Sequence, residues 1–394
     1  MILKFIKPLL PATAFLLLLL PALRAADAPS VLLRQDYEKT YTETFQVDGD
    51  GEVRLSNRYG EIKVEIWDRD EVKIDVRVKV SASDQEDADR TFDRIEVNFT
   101  GGSNSATAIT NIGSKRHRSK GIIEAIFDGE WPSFGGATNS NDFKVYYRVK
   151  MPASASLETE AKYCDVSLPD LSGNTNISVS YGNLVAGDLT GRNEVSVSYG
   201  SARIDELGEN STFRVRYCDG NEIRKAEDLR YDGRYSETRI GTVSRLNIDA
   251  GYEELEVESA KELRLDGNYN DLEVGTVERI HLDGNYCDVS IDEVSKEIEV
   301  DASYGDLEIE RLRAGFERVY IRVNYIDVEI DVDSDAGFEF ELRTRYGDIS
   351  YDYDRAQGVN SNKSGSSRSA TGSISGNGTG TIDISTSYGD IEID

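Results

Sequence analysis

The chain has 394 residues, of which 38% are hydrophobic, 9% aromatic and 30% charged, and its formal net charge is −28. That length suits one elongated domain with a smaller one, or two domains, and the apolar share suffices for a packed core. The charge argues against nucleic acid and anionic lipid as partners, because both bind basic surfaces.

Residues 1–28 read as a secretory signal. Lys4 and Lys7 form a basic start, an apolar stretch runs from Leu9 to Leu23, and Ala22, Ala25, Ala26 and Ala28 offer cleavage. The stretch is short for a membrane span and carries Pro11 and Pro21. The sequence predicts no transmembrane helix after signal cleavage. The mature chain is therefore expected in the periplasm, at the cell surface or outside the cell.

Residues 29–160 read as a β-rich cap with one short helix. EVKIDVRVKV, IEVNFT and FKVYYRVKM alternate as strands do. SDQEDADRTFDRI predicts the helix, with Ser83 as its cap and acidic residues in its first turn. Lys115 to Lys120 (KRHRSK) is a dense basic run, read as a solvated loop or as a contact for an anionic polymer. Trp131 and Phe134 read as cap core. A cap is needed because a bare solenoid end exposes strand edges.

Residues 161–350 repeat. Tyrosines stand at Tyr163, Tyr181, Tyr199, Tyr217, Tyr235, Tyr252, Tyr269, Tyr286 and Tyr304, in steps of 17 or 18. The local texts agree: VSVSYGSARI, LRLDGNYNDLEV, IHLDGNYCDVSI, IEVDASYGDLEI. Period-two alternation predicts strands, and the residues after each tyrosine predict a turn. A unit this short suits one coil of a β-solenoid whose strands pair in parallel at ~4.8 Å. Parity places the tyrosines on the core-facing side near a corner, as a stacked structural ladder. Tyr325 and Tyr346 continue at steps of 21, and Tyr388 follows after 42. Between them, residues 351–380 are rich in Gly, Ser and Asn and read as a flexible loop. Residues 381–394 restore the motif as the final strand.

The S-Y-G-D corner, the helix-bearing N-terminal part and the YYRVKMPASASLETEAKYCDV transition resemble the DUF4097 family of adhesin-like bacterial β-solenoids. The resemblance spans roughly residues 40–394. It implies an all-β, right-handed parallel β-helix, export and an adhesin-like role, related to the auto-transporter adhesin head domain. It brings no catalytic residues. The corner departs from Y-G-D at Tyr181, Tyr199, Tyr235 and Tyr252.

Two residues after each tyrosine runs a largely acidic column that includes Asp271, Asp288 and Asp306. It supports two readings. The carboxylates accept corner N–H groups, or they form a row of Ca2+ sites with oxygen ligands. Cys164, Cys218 and Cys287 directly follow tyrosines three and four coils apart, roughly 14 and 19 Å. A disulfide needs Cα atoms within ~7 Å, so three free thiols are expected. His117 and His281 are the only histidines, and neither sits in a nucleophile motif. The sequence thus favours a non-enzymatic exported solenoid with no cofactor, acting on a glycan or envelope surface. The alternatives are a polysaccharide-degrading β-helix enzyme using paired carboxylates and a calcium-stabilised structural protein.

Overall fold

A computed structural model of the chain describes residues 34–113 and 142–394. The signal segment, the basic run Lys115 to Lys120, His117, Trp131 and Phe134 lie outside the described residues.

Each central coil is a strand, a tyrosine corner and a second strand. Thr175–Ser180 leads to Tyr181 and then Asn183–Leu189; Asn193–Ser198 leads to Tyr199 and then Ser201–Leu207. The coils pair in parallel with the register that the repeat predicts: Val179 opposes Val197, which opposes Val215. After the corner, Ala202 opposes Leu184 and Ile204 opposes Ile223. One strand, Asn221–Asn268, runs through the corners at Tyr235 and Tyr252, and the break at the tyrosine returns between Asp271–Asn285, Asp288–Ser303 and Leu307–Leu312. Alternate residues such as Ile280, Leu282, Val289 and Ile291 are buried, so a continuous aliphatic core fills the solenoid.

At both ends, spatial order departs from chain order. Glu52–Ile66, which carries Tyr59, lies between Ser156–Leu168 on one side and Ser105–Ile112 with Phe143–Met151 on the other, all parallel to it. The cap region therefore contains a true solenoid coil. Beyond it the pairing becomes antiparallel: Glu71–Ala82 on Phe143–Met151, Gln35–Gln46 on Glu71–Ala82, and Ile95–Gly102 on Ser105–Ile112. The helix Gln85–Phe92 is capped by Asp84 rather than Ser83. The Asp84 carboxylate accepts from the Asp87 backbone N–H at 2.9 Å, and Asp87 reaches back to the Ser83 N–H.

The other end mirrors this. Residues 381–394, read in sequence as one final strand, are split between Asn377–Ser387 and Ile391–Ile393, and Asn377–Ser387 is inserted between Arg318–Asn324 and Ala336–Arg345. Where the sequence reads a Gly/Ser/Asn-rich loop, the structure has a hairpin of Ala356–Ser364 and Ser367–Ile374. Ser367–Ile374 lies antiparallel on Ala336–Arg345 and closes that end. The first hairpin strand is mostly exposed, so it shows no apolar alternation for a sequence reading to find.

Candidate functional site

The corner tyrosines do not face the core. Every one adopts φ between 55° and 66°, from Tyr59 through Tyr388. This left-handed conformation breaks the period-two alternation and swings Cβ outward, so parity counted across the corner fails. From Tyr163 on, each is 41–51% exposed. A non-glycine residue there costs ~1–2 kcal/mol. Corner hydrogen bonds offset part of this: Tyr181 N–H donates to Ser198 O at 2.9 Å and Tyr199 N–H to Arg216 O at 3.0 Å.

The nine tyrosines of the repeat do stack, and four more join them. The order in space is Tyr59, 163, 181, 199, 217, 235, 252, 269, 286, 304, 325, 388 and 346. Neighbouring centroids lie from 4.6 Å (Tyr346 and Tyr388) to 5.1 Å (Tyr199 and Tyr217) apart, and the planes are within 19° of parallel. Spacing this long between parallel rings means offset stacking, which stabilises by ~0.5–1.5 kcal/mol per pair. Phe143 meets the first ring edge-on at 5.5 Å, and the Arg345 guanidinium lies 5.1 Å from the last. Ring faces are thus covered by one another, and what solvent reaches is the outer rim with its hydroxyl. The column is no platform for stacking a sugar or a base.

The residue after each tyrosine points inward. In coils with glycine there, the backbones approach closely; a Cβ on Gly182 or Gly200 would fall on the carbonyl oxygen of the coil beneath. Elsewhere the side chain is buried: Cys164, Cys218, Ser236, Glu253, Asn270, Cys287 and Ile326. The three thiols are free. Burial pushes Cys164 up to about 12 and raises Cys287, so both are held as unreactive thiols.

Glu253 is the member of this inner row that sequence reasoning missed. Only 3% exposed, it accepts a 2.5 Å hydrogen bond from the Tyr231 hydroxyl, which also meets Thr238 at 2.9 Å. Its other oxygen, Oε1, is buried without a hydrogen-bond partner. Gly233 makes the room, since a Cβ there would lie 2.6 Å from the Glu253 carboxyl carbon. Burial lifts the carboxyl to about 7, against the opposing pull of the Tyr231 hydrogen bond, the Ser236 N–H, Arg234 and Arg216. The one signal in the sequence was a Glu where neighbouring coils carry Gly, Ser, Asn or Cys.

The acidic column divides by corner type. Asp288 accepts the Asp306 N–H at 3.1 Å, Asp327 that of Asp390 at 2.8 Å, and Asp390 that of Asp348 at 2.7 Å. At Asp271 the Asp288 N–H goes instead to the Asn270 carbonyl. Here Glu237, Glu254, Asp271 and Asp288 line an open groove of about 520 Å³ beside the rings. Among the described residues, no cluster of three or more His, Cys, Asp or Glu is arranged as a metal-ligand set.

In the middle coils both outer rows are ion-paired, and after the corner Arg203 meets Glu222 at 3.1 Å and Arg239 meets Glu256 at 2.6 Å; the two rows part in charge balance toward the C-terminal coils. Ahead of the corner, Arg216 pairs with Asp232 at 2.9 Å, Arg234 with Asp249 at 2.6 Å and Arg322 with Asp383 at 2.6 Å. His281 lies there too, 3.4 Å from Glu299. After the corner, Glu308, Glu329 and Glu392 face one another in register, beside Asp306, Asp327 and Asp390. None of these six has a basic partner within ion-pair distance among the described residues. Partial desolvation, then Glu308 and Glu392, hold Glu329 above the usual carboxylate value.

No curated protein matches the chain. Among solved structures it is similar to a candidate cell adhesion protein of Clostridium sporogenes (9% identity, 91% of this chain, 99% of that one, TM-score 0.19). It is similar to a candidate adhesin of Bacteroides fragilis (11%, 90% and 97%, TM-score 0.24). It is also similar to a candidate lipid binding protein of Parabacteroides distasonis (13%, 90% and 96%, TM-score 0.21). The family model described as Toastrack DUF4097 matches residues 52–394, and the chain belongs to that family.

Proposed function

We propose that the protein is a non-enzymatic, exported solenoid that presents a rigid acidic surface for adhesion or envelope interaction. The observation that carries this reading is the unneutralised outer row around Glu308, Glu329 and Glu392, set against the ion-paired row ahead of the corner. Carboxylates held in register by a parallel ladder repel one another, and a cationic partner relieves that repulsion. The partner class is a glycan or envelope polymer bearing ammonium groups. A glycan and cell-surface binding screen tests this. Binding should weaken as salt rises and fall at least tenfold in a variant combining Glu308→Gln, Glu329→Gln and Glu392→Gln. Binding that ignores both salt and the triple variant rules the reading out.

A calcium-stabilised structural role is the second reading. It is favoured by the groove at Glu254, Asp271 and Asp288, where the Asp271 carboxylate is not used by the next N–H. With Asp306 these are the candidate ligands. A melting midpoint that is the same with calcium and with chelator eliminates it.

A further inference from the structure

We propose that the tyrosine column is a site of oxidative cross-linking, in which neighbouring phenols join as dityrosine and staple successive coils of one molecule. Three observations carry this. Each ring lies parallel to the next at a nearly constant 4.6–5.1 Å, so every phenol has one of the same orientation beside it. From Tyr163 on, each residue of the column is 41–51% exposed although its neighbours in the stack cover the ring faces, which leaves the rim with its hydroxyl and ortho carbons as the part open to oxidant. The side chains stand outside the solenoid, so a ring can tilt toward its neighbour without disturbing the core.

The co-reactant is a peroxide acting through a haem peroxidase. Each of two phenols gives up one electron and its hydroxyl proton. The peroxide O–O bond breaks, and the two electrons and two protons leave as two waters. The two phenoxyl radicals form one C–C bond between ortho carbons. The two hydrogens on those carbons then move to the oxygens and restore both aromatic rings. A link between coils restricts the unfolded chain as a disulfide does. The three cysteines cannot do this, being buried and several coils apart.

The test treats the full chain with a haem peroxidase and hydrogen peroxide, isolates the monomer, and reads dityrosine fluorescence, mass and linked peptides. The column predicts links between neighbours in space rather than in sequence. Tyr59 should join Tyr163, and Tyr388 should join Tyr325 and Tyr346, while Tyr325 and Tyr346 stay unlinked to each other. Linked monomer should unfold at a higher urea midpoint. Tyr269→Phe, which keeps the stacking, should remove only the links to Tyr252 and Tyr286. Tyr353 is the internal control: it is off the column, at 65% it is more exposed than any ring in it, and its one close ring, Tyr351 at 4.2 Å, is buried and tilted by 38° rather than parallel. Links dominated by Tyr353, links found only between molecules, or an unchanged midpoint would overturn the proposal.

Discussion

The middle of the solenoid and its ends are built from the same strands, yet they solve different problems. Between Tyr163 and Tyr304 each coil sits on the one before it, and chain order is spatial order. At the ends one coil is inserted between two others, and antiparallel strands close the stack. A parallel stack left bare offers a template to any other chain. Inserting a coil ties distant segments together, and the polar hairpin turns the last edge into an exposed, serine- and asparagine-rich strand. The middle is therefore modular and the ends are not.

Deleting one coil from each region gives the largest expected contrast. Removing residues 270–286 joins Tyr269 to Cys287 and leaves the register intact, so a folded, shorter solenoid is expected. Removing residues 377–394 takes the inserted coil from between Arg318–Asn324 and Ala336–Arg345. That loss should exceed the ~5–15 kcal/mol by which a domain is stable, and leave aggregated protein. Circular dichroism and size-exclusion chromatography distinguish the outcomes. A soluble, folded monomer from the second deletion would break the contrast.

The next effect belongs to the middle alone. Glu253 titrates at about 7 when folded, against an ordinary 4.5. Its contribution to stability is therefore full below pH 4.5 and declines as pH rises through 7. The loss is on the order of 3 kcal/mol. Urea midpoints at pH 5 and pH 8 should differ in the wild type, and Glu253→Gln should remove most of the difference. Equal slopes with pH in both proteins would contradict this account of the buried carboxyl.

The smallest effect compares rings. Tyr252→Ala loses contacts to Tyr235 and Tyr269 and should cost ~1–3 kcal/mol. Tyr346→Ala, at the end of the column, loses one such contact and should cost about half as much. Tyr252→Gly should be milder than Tyr252→Ala by about 1 kcal/mol, because glycine tolerates the left-handed corner. Equal costs for all three would show that stacking does not hold the corners.

The repeat was legible because a parallel solenoid gives the same environment to residues at a constant step. Tyr163 to Tyr304 record that directly, and so do the buried aliphatics around them. The facing of the rings was not legible. Period two holds only while φ is negative, and each tyrosine is the residue at which it is not. The same reversal hid Glu253, which counts as outward by parity and lies inside. The acidic column showed its spacing in sequence, but its hydrogen bonds depend on the corner beneath each carboxylate.

From the residues alone follow the coil length, the parallel register, the tyrosine stack and the free thiols, because each depends on neighbours a fixed number of residues away. Tertiary structure decided where Tyr388 enters the stack, how the ends close and which oxygens of Glu253 are satisfied. Those outcomes turn on pairings between distant segments, such as Tyr59 with Tyr163 and Arg318–Asn324 with Asn377–Ser387, whose geometry no local pattern encodes.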